Sequence, residues 1–201
     1  MCVYIVGIID DLFGKKEVKG LKNNFKLLLK RNFSTGIIKA FGIIIIASYI
    51  YFIFKEEYWL LKGLIVALFS NLFNVFDLRP GRCLKLYFVF VLFLSYKSFQ
   101  WNHNVYVVSI GILMVYYYFD AFGYCMLGDS GSNLLGFIIG MIIVEVFSLE
   151  FIKLLFILFA LLLLEVYFDR YSYTKLIQRF NMLNFVDRIL TERQGSNHVK
   201  S

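Results

Sequence analysis

Long apolar runs separated by short polar clusters organise this chain. Six runs dominated by Ile, Leu, Val and Phe fall at residues 36–54, 58–76, 84–99, 105–122, 133–147 and 151–168. A helix needs ~20 apolar residues to cross a bilayer, and these runs are near that length. Backbone groups in lipid must bond within their own segment, so runs of this kind predict helices. A membrane barrel would alternate apolar and polar residues, which these runs do not. The pattern predicts an all-α, polytopic transmembrane helix bundle of about six spans. A shorter run within residues 1–14, MCVYIVGIIDDLFG, covers half a span and predicts a partial N-terminal helix. It carries no basic leader, so a cleavable signal peptide is not expected. The alternative expectation is a late start, with upstream helices missing or supplied elsewhere.

Beyond residue 168 the pattern changes. The tail is polar, with Leu176, Phe180, Leu183, Phe185 and Ile189 at helical spacing. That spacing, among basic residues, predicts an amphipathic helix on a membrane surface. The chain therefore divides into a transmembrane domain over 1–168 and a basic amphipathic cytoplasmic tail over 169–201.

Composition sharpens the picture. Hydrophobic residues make up 60% of the 201 and the mean hydropathy is +0.70, against ~45–50% apolar in soluble domains. Lipid is the natural solvent for that excess. The net charge of +7 would suggest nucleic acid in a soluble protein. Here the basic residues sit between apolar runs, so no nucleic-acid partner is expected and the charge reads as topology. Seven lie between Lys15 and Arg31, three are Arg79, Arg82 and Lys85, and six follow Phe168. All of these fall on one side of a six-span arrangement, while Lys55, Lys97 and Lys153 fall on the other. The positive-inside rule makes the first side cytoplasmic. Cys2, Cys83 and Cys125 show neither metal spacing nor a disulfide framework and are expected to be free thiols.

Four polar clusters fall at that cytoplasmic end. Asp10 and Asp11 close the first run. Ser34, Thr35, Gly36 and Lys39 open the next. Asn71, Asn74 and Asp77 close the second full span, and Gly128–Ser132 lie between the fourth and fifth. At ~100° per residue Asn71, Asn74 and Asp77 share one helix face. Acidic groups at membrane depth usually face a cavity or a partner. Together Asp10, Asp11, Asp77 and Asp129 offer hard oxygen ligands of the sort that suit Mg²⁺ beside a phosphate. The Gly128–Ser132 segment reads as a glycine-rich approach to a ligand ahead of an apolar helix. Each cluster has a plainer reading: a solvated helix end, interhelical hydrogen bonding, a turn with an N-cap, a snorkelling lysine. Their convergence on one side favours a site. Asp120 is a candidate support for it, and Glu145 and Glu165 are expected to snorkel or pair.

In order along the chain, GIIDDLFG, STGIIKA, NLFNVFD and MLGDSGS, each separated by apolar spans, resemble the polyprenyl-phosphate N-acetylhexosamine-1-phosphate transferases. These include the phospho-N-acetylmuramoyl-pentapeptide transferase and the enzymes that start O-antigen and teichoic acid synthesis. The resemblance covers nearly all of the chain up to Phe168. It implies a nucleotide sugar and a polyprenyl phosphate as substrates, Mg²⁺ as cofactor, UMP as a product and the plasma membrane as location. It assigns the lipid phosphate and the chemistry to Asp10 and Asp11, and the metal to Asp129. Asn74 and Asp77 match the nucleotide-side motif, with Asn71 on the same face. Lys39 matches the lysine of the STG motif, and Arg79 and Arg82 would grip a diphosphate. Leu78 and Pro80 stand where the family carries a glycine and a second acid. Met126 replaces the uracil-stacking aromatic of the muramoyl-pentapeptide enzyme. The family's late histidine-rich loop has no counterpart after Phe168.

Two rival readings accompany this one. A shortened, non-catalytic relative would act as a membrane subunit or lipid-binding protein. A transporter would place its carboxylates near the midplane, often on broken helices, whereas this chain keeps them at one end. Neither the residues nor the resemblance decides between a monomer and a homodimer.

Overall fold

The computed structural model describes residues 3–4, 7–8, 35–77, 79–97, 103–146 and 150–170. Among them all regular structure is helical. Six helices follow one another: α1 (Thr35–Ile53), α2 (Trp59–Phe76), α3 (Arg82–Lys97), α4 (His103–Ala121), α5 (Gly128–Val146) and α6 (Phe151–Arg170). They match the six apolar runs closely, and the protein is an all-α helical bundle. Val3, Tyr4, Gly7 and Ile8 are helical as well. Asp10 and Asp11, and the tail from residue 171, lie outside the described residues.

Turn chemistry sets the boundaries. Lys55 and Tyr58, with φ of 54° and 57°, take left-handed conformations in the short reversal between α1 and α2. Pro80 cannot extend a helix, and Gly81 at φ 76° completes the turn into α3. One boundary differs from expectation. Residues 128–132 are not a loop ahead of a helix at 133; they form the first turn of α5. Gly128, at φ 66°, makes the bend. The serines and Asn133 then satisfy local backbone groups, which a loop would have left to water.

The core is a seam between α2 and α5, with α1 and α6 packed on α2 and α3 packed on both, more on α5. Helices in lipid associate by close packing and hydrogen bonds, not by apolar burial, so small residues collect where backbones approach. On α5, Gly128, Ser132, Gly136 and Gly140 recur every four residues and so fall along one stripe of the helix. A Cβ at Gly140 would stand 3.0 Å from Val66 Cα on α2. Gly63 on α2 receives Ser48 of α1 at a comparable crossing. Phe69, Phe73 and Phe90 fill the space between α2 and α3 with edge and tilted ring contacts.

The outer surface is apolar. On α6, Ile152, Phe156 and Phe159 are among many exposed large side chains. Among the described residues α2, α5 and the Phe151–Phe168 stretch of α6 are long and apolar enough to cross a membrane. Shorter apolar stretches run over Lys39–Ile53 and Ile110–Ala121.

Candidate functional site

The up-and-down order brings the starts of α1, α3 and α5 and the ends of α2, α4 and α6 to one end of the bundle. Lys39 lies in the second turn of α1 and is buried. Its Nζ reaches Asp129 Oδ2 at 2.6 Å across 90 residues of sequence. Asp129 sits in the first turn of α5, where the helix dipole favours negative charge. Its side chain remains 37% exposed, while that of Lys39 is only 8% exposed.

Asn74, three residues before the C-cap Asp77 of α2, joins them. Its amide is oriented by its neighbours, since oxygen and nitrogen are told apart only by the bonds they make. The oxygen accepts from Lys39 Nζ at 3.1 Å, and the nitrogen donates to Asp129 Oδ1 at 2.9 Å and to Ser132 Oγ at 3.1 Å. Ser132 in turn donates to the Gly128 carbonyl at 2.8 Å. Deeper along the seam Asn133 donates to the Asp129 carbonyl, and Ser70 donates to the Asn133 carbonyl at 2.8 Å. Ser70, Ser132 and Asn133 are all buried. A continuous polar ladder thus descends from the Lys39–Asp129 pair into the α2–α5 seam.

The turn between α2 and α3 lies at the same end. Asp77 caps α2 with its own N–H on the Asn74 carbonyl at 3.2 Å. Arg79 is exposed and Arg82 is buried at the start of α3. Asp120, fully buried near the end of α4, accepts the Gly81 N–H at 2.9 Å. It supports the site by fixing the turn between Asp77 and Arg82. Gly7 packs directly on the Ser130 backbone, so closely that a side chain there would collide with it.

Of the residues singled out in the sequence, Lys39, Asn74 and Asp129 therefore come into direct contact, with Asp77, Arg79 and Arg82 on the adjoining turn. Asn71 goes elsewhere. Its Nδ2 donates to Glu165 Oε1 on α6 at 2.9 Å, so the expected shared face with Asn74 is divided among three neighbouring helices, α6 for Asn71 and α1 and α5 for Asn74. Ser70, Ser132 and Asn133 were not singled out individually for the site. The signal available for them was a polar residue beside each motif inside an otherwise apolar span.

The fit to Mg²⁺ follows from the same contacts. Among the described residues no three metal-ligating side chains gather. Asp129 brings one carboxylate, with one oxygen on an ammonium and the other on an amide. A cation beside that ammonium is opposed by its charge. The described residues therefore do not make a resident divalent-cation site by themselves. What they do make is a partly exposed polar surface, with the buried Lys39 ammonium beside the N-terminal turn of α5. Such a surface suits an anionic ligand.

No family model, curated protein or solved structure matches the chain. Its three long apolar helices are compatible with membrane association.

Proposed function

We propose that this protein is a multi-pass plasma-membrane enzyme, active at the cytoplasmic face, that transfers a sugar 1-phosphate from a UDP-sugar to a polyprenyl phosphate. One observation carries the reading. Lys39, Asn74 and Asp129 come from three separate motifs on three helices and meet within hydrogen-bonding distance. The resemblance matches Lys39 to the lysine of the STG motif, Asn74 to the nucleotide-side motif and Asp129 to the metal-binding aspartate. The basic residues on the flanking segments support the cytoplasmic placement.

In the reaction a phosphate oxygen of the lipid attacks the β-phosphorus of the UDP-sugar. The bond from that phosphorus to the bridging oxygen breaks, and UMP leaves with the bonding pair. Two anions must approach, so positive charge near the phosphates lowers the barrier. Lys39 supplies a buried ammonium for that purpose, and Arg79 and Arg82 stand on the adjoining turn toward the diphosphate. Asn74 and Asp77 orient the nucleotide sugar. Asp10 and Asp11 are assigned to the lipid phosphate. Asn71 is removed from the substrate set and given to Glu165.

The test is an exchange assay with purified protein, polyprenyl phosphate, Mg²⁺ and a panel of UDP-sugars, read as UMP release. Release that disappears in Asp129→Asn is the expected result. A second reading, the non-catalytic relative, is favoured by the Lys39–Asp129 ion pair, which engages one oxygen of the carboxylate matched to the metal aspartate. Silence across the panel with polyprenyl phosphate still bound would select it.

A further inference from the structure

We propose that a groove between α1 and α2 holds one acyl chain of a glycerophospholipid from the leaflet opposite the candidate site, with Ser48 donating to the lipid's ester carbonyl. The inference rests on the chain's place in a bilayer and not on the transferase reading.

The groove opens on the outer surface of the bundle and encloses about 360 Å³. Ile45, Tyr49 and Phe52 line it from α1, and Trp59 and Leu60 line it from α2. All five are exposed. Phe52 and Trp59 meet edge to face at 5.5 Å beside the reversal between the two helices. The lining is almost wholly apolar, and in a bilayer its surroundings are lipid tails.

Ser48 marks the class of ligand. It is 5% exposed and lines the groove where α1 crosses α2 at Gly63. A serine inside a helix commonly turns its hydroxyl back on the carbonyl four residues earlier. Ser48 does not, and its Oγ has no hydrogen-bond partner among the described residues. Burying a hydroxyl without a partner is costly, and lipid holds no water to satisfy it. A ligand that brings an acceptor to this point is therefore favoured. A polyisoprenoid tail brings hydrocarbon alone. A glycerophospholipid brings an ester carbonyl at the head of each acyl chain.

Depth selects the same ligand. Ser48 lies five residues before the end of α1 at Ile53, roughly 7–8 Å along the axis. Tyr49, Tyr58 and Trp59 stand at this end of the bundle, and Tyr and Trp collect at the membrane–water interface. The glycerol esters sit where headgroups give way to hydrocarbon. From there one acyl chain runs inward past Tyr49 and Ile45. Lys39 lies nine residues before Ser48, roughly 13–14 Å along the axis, so the groove is separate from the Lys39–Asp129 group. Lys62 pairs with Glu56 at 2.7 Å, and the exposed Lys55 and Glu57 carry opposite charges. Headgroup charge is thus not the selecting feature; the chain and its ester are.

The test titrates the purified full chain in detergent with phosphatidylcholine brominated on its acyl chains, and reads quenching of Trp59 fluorescence. Trp101→Phe removes the other tryptophan. Quenching should saturate at one lipid per chain. Unlabelled diester phosphatidylcholine should displace the probe about three- to tenfold better than its diether analogue, the usual worth of one hydrogen bond. Ser48→Ala should bring the two competitors level. Ile45→Phe with Leu60→Phe, which narrows the groove from both walls, should abolish saturable quenching. Quenching that rises without saturation is general wetting by lipid and overturns the proposal. Equal displacement by diester and diether lipid before any change at Ser48 overturns it as well. Stronger displacement by polyprenyl phosphate than by diester lipid would give the groove to an isoprenoid tail. Quenching that appears only on dilution to the monomer would give it to a second copy of the chain. Either result also overturns the proposal. The diester–diether comparison needs no variant at Ser48, so it decides even where Ser48→Ala fails to fold. UMP release is read in a separate assay, so the transferase reading stands or falls independently.

Discussion

Gly136 on α5 lies so near Ser70 on α2 that a Cβ on the glycine would stand 2.7 Å from Ser70 Cα and 2.5 Å from the Phe69 carbonyl oxygen. Both nearest atoms are backbone, so no side chain can swing aside. Gly136→Ala must therefore push the two central helices apart. The expected cost is that of overpacking a core, about 1–3 kcal/mol, seen as a lower unfolding temperature in detergent. Gly111→Ala is the matched control, because nothing lies within 4 Å of its Cβ position. There the better helix propensity of alanine, worth up to ~1 kcal/mol, should leave stability unchanged or raised. Equal losses at the two glycines would contradict the close α2–α5 seam.

The Lys39–Asp129 pair joins α1 to α5, and its two partners should be energetically coupled. In a cycle of Lys39→Gln, Asp129→Asn and the double variant, contacting charged residues should show an interaction energy of about 0.5–3 kcal/mol. Asp129→Asn should be the costlier single change. It takes the carboxylate charge from an ammonium only 8% exposed, whereas Lys39→Gln leaves a carboxylate that is 37% exposed to water. A coupling near zero from chemical denaturation would mean that the pair is not formed in solution.

These two contacts show what the sequence made legible and what it did not. The helices were legible because a span in lipid must be long, apolar and internally bonded, which leaves a strong mark in the order of residues. Lys39, Asn74 and Asp129 were legible because a polar residue inside such a span is costly and stands out. Their meeting also followed from the up-and-down count, since alternate helix ends share a side. The start of α5 was less legible. Gly128, Ser130 and Gly131 resemble a loop by composition, and the bond from Ser132 Oγ back to the Gly128 carbonyl within that helical turn is a local satisfaction no hydropathy pattern reports. The partner of Asn71 was not legible for another reason. Its spacing from Asn74 gave the shared face correctly, but that face is wide enough to touch α5, α1 and α6 at different points, and only packing decides which neighbour each amide meets.

Asp120 tests the support of the α2–α3 turn. Its Oδ2 accepts the Gly81 N–H, and the site is fully buried, so an unpaired donor there would have no water to turn to. Asp120→Leu should cost about 1–3 kcal/mol, the usual penalty for stranding a buried polar group. Asp120→Asn, which keeps an oxygen in place, should cost clearly less. On the transferase reading the turn carries Arg79 and leads into Arg82, so the leucine variant should raise KM for the UDP-sugar more than it lowers kcat. The same kinetic parameters in all three proteins would separate the turn from substrate binding.

Glu165 is the buried carboxylate of α6, and Asn71 on α2 is the partner the structure gives it. Ionisable residues inside apolar helices are rare and normally face a partner or a cavity. Here the partner holds α6 to the central helix, close to where Phe76 and Phe168 meet edge to face at 5.9 Å. Glu165→Gln retains an oxygen for the Asn71 amide and should be nearly neutral. Glu165→Leu leaves that amide facing hydrocarbon and should lower stability by about 0.6–2 kcal/mol, the range for interhelical polar contacts in membranes. Cross-linking between cysteines placed at 76 and 168 should fall in parallel, because α6 touches the bundle chiefly through α2. On the transferase reading the variant should leave UMP release intact, since Glu165 bonds to Asn71 and not to the Lys39–Asn74–Asp129 group. Loss of that release in Glu165→Leu, with the bundle still folded, would return Asn71 and Glu165 to the binding site and undo their assignment as a helix-to-helix tie.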